Sequence, residues 1–135
     1  MSAACRMLLD DSPIPQTMSL DLYVQIFLLT CLLELPIYWR FTRRQLGAFN
    51  VFRMLLTLNL ATHPAVTWLF PWIFSKTDLM VRDYLLVSEL FAIVVETIII
   101  TSIYKVRLPK AFVVSLFANL FSWWVGLYVA PALGL

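Results

Sequence analysis

The chain has 135 residues, a net charge of +2, and 61% hydrophobic against only 13% charged residues, with a mean hydropathy of +0.85. A small soluble fold cannot hide that much apolar side chain, because much of it is surface; a soluble enzyme, a disordered chain and a nucleic-acid-binding module are excluded, and so small a net charge names no polyanionic partner. Cys5 and Cys31 provide neither a disulfide framework nor a zinc spacing.

Residues 1–19 read as an extracytoplasmic N-terminal arm. Pro13 and Pro15 favour extended backbone, and Met7-Leu8-Leu9 is too short an apolar core for a signal peptide. Beyond it, residues 20–131 divide into four apolar stretches of about 20 residues each, the length a membrane-spanning helix needs. They are 20–39, 51–72, 84–104 and 111–131, and Tyr38, Trp39, Trp68, Trp72, Tyr84, Tyr104 and Tyr128 lie near their ends, where the bilayer interface favours such rings. The expected fold is all-α: a polytopic four-helix transmembrane bundle whose first partner is the lipid bilayer.

The connections orient it. Arg40, Arg43, Arg44 and Arg53 lie at the first, and Lys105, Arg107 and Lys110 at the third, with no acidic residue among them. The other side carries Arg6, Lys76 and Arg82 against Asp10, Asp11, Asp21, Asp78 and Asp83. Basic connections stay in the cytoplasm, so both termini are expected outside, in a bacterial inner membrane.

The polar residues of the spans are the chemical signal. Glu34, Glu89 and Glu96 are the only glutamates of the chain, and all three fall inside predicted spans. A carboxylate at the bilayer centre costs at least ~2.5 kcal/mol and has to face protein or water. Counted from the cytoplasmic ends at 1.5 Å per residue, Asn59, Glu96 and Asn119 lie roughly 12 Å deep and Glu34 about 8 Å. His63, Ser122 and Glu89 form a second layer roughly 17–22 Å in. Glu89 and Glu96 share a helix face, as do Asn59 and His63. Ser115, Asn119, Ser122 and Gly126 form one stripe, overlapped by Ala118, with the small-residue spacing that lets helices approach closely in lipid. The expected ion- or ligand-binding set is therefore Glu34, Asn59, His63, Glu89, Glu96 and Asn119, supported by Thr62, Ser115 and Ser122.

Pro36 and Pro64 each remove a backbone donor and free the carbonyl one turn earlier, at Leu32 and Leu60. Freed carbonyls beside carboxylates can coordinate a cation. No Lys or Arg lies deep in any span, so the acids are neutralised either by protons or by a bound cation, and His63 is the one titratable group able to pair with them. A metal, if bound, would take His63, Glu89 and Glu96. Neither a haem nor a nucleotide signature is present, and neither H-E-x-x-H nor G-x-S-x-G occurs.

The two hairpins also resemble each other. Asn59-x-x-Thr62 followed by Trp68 and Pro71 matches Asn119-x-x-Ser122 followed by Tyr128 and Pro131, and each follows a span carrying Glu34 or Glu96. That predicts a parallel repeat with its two-fold axis along the membrane normal. The set Glu34-x-Pro36, Asn59-x-x-Thr62-x-Pro64, Glu89-x6-Glu96 and Ser115-x3-Asn119-x2-Ser122-x3-Gly126 resembles a group of small bacterial four-helix membrane proteins without an assigned function, over roughly residues 20–130. The resemblance implies the layout and no activity.

The functional expectation is proton- or cation-linked transport or conduction. Four helices leave little space inside one chain, so a homo-oligomer is expected, with the span-four stripe as its contact. The alternative is an accessory subunit of a larger membrane complex, and an intramembrane metal-dependent enzyme comes third.

Overall fold

The computed structural model describes residues 19–77 and 81–134. The expected N-terminal arm, apart from Ser19, lies outside the described residues. Among them, the chain is wholly helical. Helix α1 is Leu20–Leu46 and α2 is Ala48–Pro64, which continues through a π-helical turn, Ala65–Leu69, into the short α3, Phe70–Phe74. Helix α4 is Val81–Ser102 and α5 is Leu108–Ala132.

Three helices, Leu20–Leu46, Asp83–Ser102 and Leu108–Ala132, are long and apolar enough to cross a membrane. The rod α2–π–α3 is continuous, about 40 Å long at 1.5 Å per residue, but its π turn divides it so that neither α-helical piece reaches that length alone.

Local chemistry sets the boundaries. Ser19 caps α1, its hydroxyl accepting from the Leu22 amide at 3.3 Å. The first basic connection is not a loop: Arg40, Arg43 and Arg44 extend α1 past Trp39 to Leu46, and Gly47 alone joins α1 to α2. Its φ of 79° and ψ of 159° belong to a region open to glycine and closed to side chains. Between α4 and α5 the chain turns through Lys105 at φ 54°, and Val106 is buried against the bundle end.

The four rods stand in a square, each neighbour antiparallel to the next. α1 packs on α2 and α5, and α4 packs on α2 and α5. The distribution of side chains is the reverse of a soluble bundle. Outward faces carry large apolar residues at one-turn intervals: Phe52, Leu56 and Leu60 on α2; Leu86, Leu90, Val94 and Ile98 on α4. Inward faces carry Glu34, Thr42, Asn59, Thr62, Ser88, Glu96, Thr97, Ser115, Asn119 and Ser122, all buried. In water that arrangement would expose the apolar belt and bury the polar groups; in lipid it does the opposite of harm on both counts.

The two ends of the square differ. Toward Gly47 and Val106 it is packed solid by Tyr38, Val51, Met54, Leu58, Ile100, Ala111, Val114 and their neighbours. Toward the start of α1 and the end of α5 it is hollow.

A buried acid–amide layer at the blind end of a cavity

Glu34 and Glu96 are each 1% exposed, and together with their partners they draw on all four rods. On α1 and α2, Asn59 Nδ2 donates to Glu34 Oε2 at 2.7 Å and to its own Leu55 carbonyl at 3.2 Å. On α4 and α5, Asn119 Nδ2 donates to Glu96 Oε2 at 2.5 Å and to its own Ser115 carbonyl at 3.0 Å. Each asparagine thus spends one amide proton on the carbonyl a turn below and the other on the glutamate of the preceding rod. The anchoring bond fixes the amide, which in turn fixes the carboxyl.

The two pairs are tied together across the square. Tyr38 OH donates to Glu96 Oε2 at 2.7 Å, and Ser115 Oγ donates to the same oxygen at 2.8 Å. Ser122 Oγ lies 3.3 Å from Glu34 Oε1 and 3.0 Å from the Asn119 carbonyl. Three donors converge on one oxygen of Glu96, the surrounding a carboxylate anion favours. At Glu34 the pattern differs. A serine hydroxyl has one proton, and Ser122 has a nearer acceptor in Asn119, so Glu34 Oε1 has room for a proton of its own.

This layer is the floor of a cavity of about 370 Å³, bounded by all four rods and lined at its base by Glu34, Asn59, Glu96, Asn119 and Ser122. Its walls are mainly apolar, with Ile26, Leu29 and Leu33 from α1, Val66 beyond α2, Leu85 and Ala92 from α4, and Leu127 from α5. The size lies within the range of small-molecule sites. The solid half of the bundle closes it below.

The expected site residues are therefore brought together unevenly. Glu34, Asn59, Glu96, Asn119, Ser115 and Ser122 form one network. Thr62 is buried and lines the cavity, but its hydroxyl returns to the Leu58 carbonyl at 3.0 Å. His63 also lines the cavity, yet its bond is to Thr67 Oγ1 at 3.2 Å. Tyr23 and Phe27 hold its ring edge-on at 5.3 and 5.5 Å. It is built into an aromatic cluster rather than paired with the acids. Glu89 is in the wall, apart from both pairs. Among the described residues no group of three His, Cys, Asp or Glu could hold a metal ion, so His63, Glu89 and Glu96 do not form the metal set the sequence suggested.

Three further expectations are corrected. Ser115, Ala118, Asn119 and Ser122 are buried within the chain and Gly126 lines the cavity, so the small-residue stripe faces inward and is not available to a second copy. Space inside one chain is not lacking either: the cavity is complete in a single copy. The prolines act away from the acids. Pro36 is exposed, and Leu32 and Leu60, whose carbonyls the prolines free, carry side chains 66% and 56% exposed. After Pro64 the missing bond is absorbed by the π turn, in which the Phe70 amide reaches the Ala65 carbonyl and Tyr84 OH donates to the Val66 carbonyl at 2.8 Å.

Tyr38 was not among the expected site residues. Its place at a span end reads as an interfacial ring, but it lies one turn after Glu34 on the same face, and that spacing is the signal that would have found it. Trp123, another wall residue, had no such signal.

No protein-family model matches the chain, and no curated protein or solved structure shows a significant match.

Proposed function

We propose that the chain is a four-span membrane carrier for protons or cations, with both termini outside and the basic ends of α1, α2, α4 and α5 in the cytoplasm of a bacterial inner membrane. The rod α2–π–α3 is the fourth span in this reading: it is as long as its neighbours and carries Phe52, Leu56 and Leu60 outward as they carry their own apolar faces. The two hairpins are a parallel repeat, supported by the like pairing of Glu34 with Asn59 and of Glu96 with Asn119.

One observation carries the proposal: the acid–amide layer lies at the blind end of a cavity that reaches only one side. A channel needs a continuous path, whereas a carrier exposes its site to one side at a time. The solid packing of Tyr38, Met54 and Leu58 beneath the layer favours the carrier over conduction. Glu96, ringed by three donors, is the fixed anion, and Glu34 is the group that takes up and releases the proton. The accessory-subunit reading has no observation of its own.

The test is flux in sealed liposomes containing the purified protein and a pH-sensitive dye, under imposed proton, sodium and potassium gradients. Wild type is expected to carry protons or one cation above empty liposomes, and Glu34→Gln to fall to the empty-liposome level. Wild-type protein that carries none of the three overturns the proposal.

A further inference from the structure

Glu34 and Glu96 are satisfied by the side chains around them; Glu89 is not. Its Oε2 is buried without a hydrogen-bond partner among the described residues, and so is Nε1 of Trp123. Both residues line the cavity, on neighbouring rods. A buried carboxylate oxygen left unpaired forfeits about 1–3 kcal/mol, and it marks a place in the wall where an occupant supplies the missing donor.

The chemistry of that occupant is narrowly set. Three carboxyl groups and neither a Lys nor an Arg line the cavity, so the site disfavours an anion. Among the described residues no three His, Cys or acid side chains stand together to hold a metal ion, and about 370 Å³ bounded by Ile26, Leu29, Leu33, Leu85 and Leu127 suits an apolar body of many atoms. Glu89 Oε2 lacks a donor, so the cation has to bring an N–H. The indole of Trp123 lines the same space, and the face of such a ring attracts an organic cation.

We propose that the cavity binds a protonated amine with an apolar body, its N–H on Glu89 and its apolar part against the walls. The inference rests on the carrier reading and deepens it by giving the substrate class. It assigns different work to the three acids: Glu89 recognises, Glu34 exchanges the proton, and Glu96 ties α4 to α1 and α5.

Calorimetric titration of the detergent-purified protein tests it, with dimethyl(phenylpropyl)amine, which is protonated at neutral pH, and a neutral analogue, methyl phenylpropyl ether, in which an oxygen replaces the charged N-methyl centre. Wild type is expected to bind the amine at least about tenfold more tightly than the ether, the worth of a charge-assisted hydrogen bond. Glu89→Gln is expected to bind both alike, and because Glu89 Oε2 makes no hydrogen bond in the protein the variant should melt at the wild-type temperature. Glu89→Asp, which keeps the charge, should retain part of the preference and serves if the glutamine variant fails to fold. Equal binding of amine and ether by wild type, binding of neither, or a preference that survives in Glu89→Gln overturns the inference. The titration needs no gradient, so the two proposals separate: amine binding without ion flux overturns the carrier alone, and ion flux without amine preference overturns this inference alone.

Discussion

At the scale of single residues, Tyr38 is the most informative side chain. It is fully buried, and its hydroxyl is the link from α1 to Glu96 across the square. Tyr38→Phe keeps the ring and removes one charge-assisted donor, so it should cost about 1–3 kcal/mol, read as a lower denaturation midpoint in detergent; an unchanged midpoint would remove the bond from the stability account. Glu34, Asn59, Glu96 and Asn119 were legible as one layer because depth and helix face are simple functions of sequence position. Tyr38 was not, because an aromatic near a span end serves equally as an interfacial anchor or a buried donor, and the choice depends on a residue of another rod. The same limit explains His63. A lone histidine near acids invites pairing, but Tyr23, Phe27 and Thr67 occupy its surroundings first.

At the scale of elements, the connections matter more than their lengths suggest. Gly47 is the whole link between α1 and α2, and a Cβ there would meet nothing within 4 Å. Any cost of Gly47→Ala is therefore backbone strain alone, of order 1–3 kcal/mol, and the same denaturation measurement should show it; a neutral result would mean that the link relaxes without loss. The helices themselves follow from the apolar runs and their ends from Ser19 and Gly47. What could not be read was the π turn. Pro64 announces a fault in the helix, but a kink, a break and a π turn all answer it, and the outcome here depends on Tyr84 of α4 reaching the Val66 carbonyl. The direction of the Ser115–Gly126 stripe was equally open, since small residues pack as well inside a bundle as between bundles.

At the scale of the whole molecule, inside-out polarity and end-to-end asymmetry are the two features with consequences. In the four-span orientation, Ser75, in the exposed turn after α3, lies outside, and Arg107, before α5, lies in the cytoplasm. With Cys5 and Cys31 replaced by serine, Ser75→Cys should react with a membrane-impermeant maleimide in intact cells, and Arg107→Cys only after lysis. Labelling of both from outside would refute the span count or the orientation. The cavity itself was illegible in the sequence. A void is a property of how four surfaces meet, and no single run of residues records it.

The pairing of each acid with the amide of its own hairpin bears on how such a chain enters a bilayer. Joined only by Gly47, α1 and α2 enter together, and Asn59 reaches Glu34 within that unit; α4 and α5 form a second unit, in which Asn119 reaches Glu96. In the four-span reading, each half therefore enters with one carboxyl, Glu34 or Glu96, already paired to its own amide. The Tyr38–Glu96 and Ser122–Glu34 bonds form when the halves dock, and they serve as the latch of assembly. A hairpin made alone would stay in the membrane as a stable half, waiting for its complement.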